Sequence, residues 1–431
     1  MKVWQRLFAL ALLALLALAG LVIALNLRDE GDGTEAAAAG GATDVAAELI
    51  ARGQYLTRAG DCLGCHTVRG GAPYAGGRGI ETPFGTVYTP NLTPDPQTGL
   101  GDWTAADFWR ALHNGRSRDG RLLYPAFPYP NYTKVARADA DAMYAYLRSL
   151  PPVPRPNQAH GLAFPFNLQA SLAIWRALYF DPGVYKPDPA RPPEWNRGAY
   201  LVEGLGHCNA CHSRRNALGA PAGPLDFAGG LIPVQNWYAP SLTSADEASV
   251  ADWDARHVVD LLKTGVSARG MVMGPMTEVV QNGTQYLSDA DLAAMTHFLT
   301  ALPVTRSARP NDAVMAPGEP EQTRGAKLYE THCAQCHGEK GAGVPGAYPA
   351  LAGSRAVTMA SSANLVHVVL QGGFPPGTAG NPRPFGMSPF ATTFSNDDVA
   401  DLLTYIRSAW GNKGGPVSAL EASRFRADVR P

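Results

Sequence analysis

The stretch Arg52-Gly-Gln-Tyr-Leu-Thr-Arg-Ala-Gly-Asp-Cys62-Leu-Gly-Cys65-His66 decides the fold. It closes on C-x-x-C-H, the attachment motif for c-type haem. Two thiols three residues apart on one turn reach the two vinyl groups of one haem. The adjacent His then presents its imidazole to the iron. The motif recurs at Cys208-Asn-Ala-Cys211-His212 and at Cys333-Ala-Gln-Cys336-His337, and together the three use all six cysteines. One C-x-x-C alone would leave room for half a zinc site, a thioredoxin-like pair or a disulfide. Three copies, each followed by His, point to three covalent haems, with His66, His212 and His337 as proximal ligands.

Working outward, each motif sits in a repeated frame. Arg52-Gly53, Arg197-Gly198 and Arg324-Gly325 open the three copies, each reading as a helix that runs into its motif. The first two copies stay in step further on. Tyr88-Thr-Pro-Asn-Leu92 matches Tyr238-Ala-Pro-Ser-Leu242, and Trp103 and Trp253 each follow an Asp. Helical spacing over Thr104–Asn114 and Asp254–Thr264 stops at Gly115 and Gly265. Closing helices are predicted over Asp139–Leu150, Ser288–Leu302 and Ser395–Trp410. Ser288 and Ser395 are natural caps, with Asp291 and Asp398 three residues on.

The expected fold is all-α: three tandem cytochrome c domains, each round one haem, behind an N-terminal membrane anchor helix. The expected divisions are an anchor at 1–27, a linker at 28–45, domain 1 at 46–152 and a connector at 153–190. Domain 2 follows at 191–305, a linker at 306–319, domain 3 at 320–412 and a tail at 413–431. The connector holds an apolar stretch, Asn167–Phe180, read as an interdomain packing helix. Contact with a partner subunit or a quinone is the sharper alternative.

Composition agrees. The chain has 431 residues, long enough for several domains, and its 46 Gly and 36 Pro favour loops wrapped round a large cofactor. With 36 basic and 37 acidic residues, nothing points to nucleic acid. Leu7 to Leu25 is an unbroken apolar run. As a helix it spans roughly 28 Å, close to the hydrocarbon thickness of a bilayer. Lys2 and Arg6 precede it, and acids appear only after it, at Asp29, Glu30 and Asp32. The positive-inside rule places Met1 in the cytoplasm and the rest outside. A cleaved signal ending at Ala17-Leu18-Ala19 is the rival reading.

An electron-transfer haem usually takes Met as its second axial ligand. In the third copy Met387, in Phe385-Gly-Met387-Ser-Pro-Phe390, fills that place ahead of Met359. In the second, Met276 follows Gly-Pro and is preferred over Met271 and Met273. The first copy breaks the pattern. The position matching Met276 falls at Phe127, in Tyr124-Pro-Ala-Phe127-Pro-Tyr-Pro, and Phe cannot bind iron. Met143, His113 and His160 read as packing or ordinary residues, so the first haem is expected to be five-coordinate or to carry an unusual ligand. His207, His257, His297, His332 and His367 read as structural or surface residues.

Further stretches complete a resemblance: Thr82-Pro-Phe-Gly-Thr-Val-Tyr-Thr-Pro-Asn91, Tyr124-Pro-Ala-Phe-Pro-Tyr129, Trp237-Tyr-Ala-Pro-Ser-Leu242, Met276-Thr-Glu-Val-Val280 and Ser408-Ala-Trp-Gly-Asn412. From about Arg52 to Asn412 the chain resembles the three-haem cytochrome c subunits of membrane-bound periplasmic dehydrogenases acting on alcohols, gluconate, sorbitol or aldehydes. The resemblance implies a large periplasmic dehydrogenase subunit with a quinoid, flavin or molybdenum cofactor as partner. It implies no catalytic residues in this chain, which would relay electrons to ubiquinone or a terminal oxidase at the inner membrane, haem domains on the periplasmic side. In many members the Phe127 position holds the Met ligand of the first haem. Two other functions fit the sequence: a peroxidase-like enzyme using an open first haem, and a free-standing anchored carrier.

Overall fold

The computed structural model describes residues 2–28, 43–223, 226–305 and 324–426. Most of the 28–45 linker, the 306–319 linker and the tail beyond 426 lie outside the described residues.

The chain gathers into two units. The first comprises residues 1–187 with 203–207 and 217–220, and the second comprises 188–202, 208–216 and 221–431. The described residues are mostly helix and loop. Short antiparallel pieces interrupt an otherwise helical design: a three-stranded sheet (Gly79–Thr82, Gly85–Tyr88, Gly161–Leu162) and two ribbons, Gly230–Leu231 with Tyr238–Ala239 and Val266–Ser267 with Gly270–Met271.

One helix frame recurs three times. Opening helices run over Thr43–Ala59, Pro193–Ala199 and Arg324–His332. The second continues as a π-turn, Tyr200–Leu205. Closing helices run over Arg137–Ser149, Asp289–Thr300 and Asn396–Ser408, and each packs on its opening partner. The Arg-Gly pairs explain the crossing. A Cβ on Gly53 would stand 1.9 Å from the Ala142 carbonyl oxygen, one on Gly198 2.0 Å from that of Ala294, and one on Gly325 2.2 Å from that of Asp401. Only glycine lets the two backbones approach so closely. The preceding arginine ties the same crossing, as Arg52 to Asp139, Arg197 to Asp291 and Arg324 to Asp398.

The predicted stops and caps are in place. Helices Ala105–Asn114 and Ala255–Thr264 end at left-handed Gly115 and Gly265. The Ser288 side chain caps Asp291, and Ser395 with Asp398 forms a reciprocal capping box. The connector helix meets both expected domains, with Gln169 at the Leu122 backbone and Trp175 Nε1 at the Leu218 carbonyl (2.9 Å), and it has one further neighbour. Gln169–Tyr179 packs against the N-terminal helix Lys2–Asn26, whose Val3–Asn26 span is long and apolar enough to cross a membrane.

The third frame shows how its core closes. Tyr329, Val366, Leu370, Leu402, Leu403 and Ile406 form its centre. A further helix, Ala419–Arg426, packs on the closing helix from within the segment expected to be a tail. Arg407 is buried among these residues. Its Nε donates to the Gly415 carbonyl at 2.7 Å, and one terminal nitrogen donates to those of Val357 (2.8 Å) and Met359 (3.0 Å). Arg407→Met would leave three carbonyls without this donor. It is expected to cost about 3 kcal/mol, read as a lower midpoint for unfolding of this frame.

Candidate functional site: three histidine–proline cradles

The three C-x-x-C-H motifs fold into single turns after their opening helices. Cys62–Cys65 and Ala334–His337 are short helices, and Cys208–Ala210 is a 3₁₀ turn. All six thiols are free of disulfides. Burial pushes Cys62 and Cys208 up to about 12 and Cys333 up to about 11, which keeps these sulfurs protonated. No cluster of three or more His, Cys, Asp or Glu suited to a metal ion occurs among the described residues.

Each motif histidine is held the same way. Nδ1 of His66 meets the Pro90 carbonyl at 2.8 Å, that of His212 the Pro240 carbonyl at 2.7 Å, and that of His337 the Pro349 carbonyl at 3.0 Å. A carbonyl only accepts, so Nδ1 carries the proton and Nε2 keeps its lone pair. Desolvation reinforces this by lowering all three histidines, His66 to about 4, so the rings are neutral at ordinary pH. A neutral imidazole with a fixed tautomer is the form that ligates iron, and a carbonyl partner on the other nitrogen orients the ring. The donor set therefore fits a covalent haem at each motif.

A glycine completes each cradle. Gly76, Gly229 and Gly343 donate their backbone N–H to the carbonyls of His66 (2.8 Å), His212 (3.0 Å) and His337 (2.8 Å). All three are left-handed, with φ of 70°, 71° and 66°. Each also lies against the proline segment, where a Cβ would come within 2.4 Å of Pro90, 2.8 Å of Pro240 and 2.6 Å of Pro349. These glycines and Pro349 were missed from sequence. Pro90 and Pro240 stood inside the repeated Tyr-x-Pro stretches, which was the signal available.

Of the preferred methionines, Met387 sits in a loop and Met276 in the first turn of a helix. Met387 exchanges backbone hydrogen bonds with Gly373 (2.8 and 3.0 Å) and packs on the third core. Its loop approaches the motif through Tyr348, whose ring lies 5.4 Å from Phe385 and 6.3 Å from His337. Met359 is buried, and its carbonyl receives Arg407. Met276 is the second residue of helix Pro275–Asn282, whose cap Gly274 lies on the Trp237 ring. Trp237 stands three residues before Pro240, so one segment carries both the His212 acceptor and the support of the Met276 loop.

In the first copy Phe127 occupies the corresponding loop. Its ring lies 5.3 Å from Tyr132, which is buried beside Cys62 and Cys65 and donates to the Gly60 carbonyl at 2.8 Å. His113 is tied through Nδ1 to the Thr133 carbonyl (2.9 Å) and stacks on Trp109. Nδ1 of His160 accepts from the Tyr88 N–H at 3.1 Å, and Met143 is fully buried on the closing helix.

Among known proteins, the chain matches the cytochrome c family over residues 50–151 and 322–410. The stretch between them contains the second cradle, built on the same contacts. The chain is 37% identical over 404 residues to the alcohol dehydrogenase (quinone) cytochrome c subunit of Gluconacetobacter polyoxogenes, covering 90% of this chain and 86% of that one. The gluconate 2-dehydrogenase cytochrome c subunit of Pantoea cypripedii is 36% identical, covering 88% and 90%. The fructose dehydrogenase cytochrome subunit of Gluconobacter japonicus is 34% identical, covering 88% and 82%.

Proposed function

We propose a function from one premise: the chain belongs to the family of dehydrogenase cytochrome c subunits, and is an electron-transfer subunit rather than a catalytic one. On that footing it carries three covalent haems, at Cys62/Cys65, Cys208/Cys211 and Cys333/Cys336. It takes electrons from a large periplasmic dehydrogenase subunit with a quinoid, flavin or molybdenum cofactor, and passes them to ubiquinone or a terminal oxidase. The Val3–Asn26 helix would hold it to the inner membrane with the cradles on the periplasmic side. The observation that carries this reading is the threefold cradle, in which Nδ1 is bound by a proline carbonyl and Nε2 is left for iron.

A bound haem would supply a one-electron ferric/ferrous couple. This chain's residues set its terms. His66, His212 and His337 are oriented by Pro90, Pro240 and Pro349. Met276 and Met387 supply thioether sulfur, which favours the ferrous state and raises the potential. Met276→His and Met387→His are each expected to lower one couple, by on the order of 0.1 V within the roughly 0.8 V that axial ligation spans. Potentiometric titration followed optically reads this, with the other couples unmoved.

Purification of the full chain from native membranes in mild detergent tests the subunit reading. A stoichiometric dehydrogenase subunit is the expected companion, and its cofactor names the substrate class. A chain that arrives alone or with an oxidase would overturn it in favour of a free-standing carrier.

A further inference from the structure

The connector helix Gln169–Tyr179 has two opposite faces. Leu172 and Arg176, one turn apart, are buried at 5% and 3% exposure. On the other side Ile174 and Leu178, also one turn apart, are 52% and 63% exposed, and Leu168 and Phe164 extend the surface at 44% and 78%. An apolar patch of this kind marks a surface that something covers.

The fastening of the helix indicates its cover. Asn26 is the last residue of the apolar span, and its Nδ2 donates to the Ala173 carbonyl at 2.8 Å. Arg176 Nε donates back to Asn26 Oδ1 at 2.9 Å, and a terminal nitrogen of Arg116 donates to the Asn26 carbonyl at 3.1 Å. Just beyond, Arg28 donates to the Phe180 carbonyl at 3.2 Å and pairs with Asp181 at 3.3 Å. The connector helix is thus bound at the point where the span ends. The span has 24 residues. At 1.5 Å each it is about 36 Å long, against about 30 Å of hydrocarbon, so its final turn reaches the headgroup layer. A helix tied to that turn, apolar outward and with Tyr179 at its edge, meets the lipid interface.

We propose that Gln169–Tyr179, with Phe164 and Leu168, is an interfacial membrane helix that seats Ile174 and Leu178 in the outer leaflet boundary beside the span. The seat fixes the height and tilt of the first haem domain over the bilayer, which a single span with a loose exit would leave free. This rests on the reading of residues 2–26 as a retained span.

The test uses the full haem-loaded chain in nanodiscs of mixed zwitterionic and anionic lipid. Intact mass first reports whether the span is retained, independently of the labelling. Ile174→Cys, Leu178→Cys and Val344→Cys are then spin-labelled one at a time. Collision with oxygen, which partitions into lipid, is compared with collision with a water-soluble nickel chelate. The expected result is oxygen ahead of nickel by several-fold at 174 and 178, and nickel ahead at 344, an exposed residue of the third cytochrome frame. Nickel ahead at 174 and 178 would overturn the proposal by showing a water-facing helix. Exclusion of both reagents would overturn it in favour of a protein partner, here a second copy of the chain. A mass lacking the span would overturn both readings.

Discussion

Phe127→Met is expected to turn the first haem from a high-spin ferric centre into a low-spin His/Met one. In the second copy the segment after left-handed Gly265 leads to Met276, the proposed ligand, and the matching segment after left-handed Gly115 leads to Phe127. The loop is held by its own contacts. The Phe127 N–H donates to the Tyr124 carbonyl at 3.0 Å, and Pro125 and Pro128 flank it. Its ring lies on Tyr132, beside the first pair of thiols. Met has similar volume and more freedom, so the exchange should cost less than about 1.5 kcal/mol. Of the other candidate ligands, Met143 is fully buried on the closing helix, and the His113 ring stacks on Trp109 with centroids 4.5 Å apart. Under the three-haem reading, the native ferric protein should show about one third of its iron as high-spin in low-temperature electron paramagnetic resonance. Phe127→Met should remove that signal and raise one potential by on the order of 0.1 V. The converse variant, Met387→Phe, should add a second high-spin third. A native protein with no high-spin iron would sink the idea, because another ligand would already fill the first site.

Gly325→Ala should unseat the third frame. In an open helix this exchange gains about 1 kcal/mol, because alanine is the better helix former. Here the new Cβ would lie 2.2 Å from the Asp401 carbonyl oxygen, 2.7 Å from its carbon and 2.8 Å from Tyr405 Cβ. Two of these are backbone atoms of the facing helix and cannot rotate away, so the helices must part. Overpacking of this kind costs about 3 kcal/mol, outweighing the propensity gain. Separation also loosens Arg324 from Asp398 and Asp401. The check is denaturant unfolding followed at the third haem, since a chain with several frames does not unfold in one step. Gly377→Ala is the control. Gly377 is exposed with no atom within 4 Å of the added Cβ, and its variant should unfold at or slightly above the native midpoint. Equal loss in both variants would show that the crossing is not what makes Gly325 matter.

The same glycine shows where sequence reading stops. Arg52-Gly53, Arg197-Gly198 and Arg324-Gly325 were visible as a repeat, but not their purpose. A helix-interior glycine read alone is a weak helix former. Its reason appears only when a partner helix 76 to 96 residues away places a carbonyl against it. Gly76, Gly229 and Gly343 were illegible for a related reason. They lie at unequal distances after their histidines, 10, 17 and 6 residues, as the loops differ in length. Nothing periodic marks them, although each ends in the same pair of hydrogen bonds. The apolar pattern of the connector helix reports that it packs, not that the N-terminal helix is among its neighbours. Asn26, which fastens it, is 147 residues from its Ala173 acceptor.

The sequence by itself determined the chemistry. On the three-haem reading, thioether attachment and proximal ligation need residues in immediate succession, so Cys62 to His66 and its two copies spell them out locally, as the sequence also does for caps such as Ser395 with Asp398 and stops such as Gly115. Tertiary structure decided which nitrogen of each motif histidine the proline carbonyl takes, which glycine allows two helices to cross, and what the connector helix is fastened to. Those choices rest on carbonyl oxygens and ring faces that long-range folding brings together, and no local spacing encodes them.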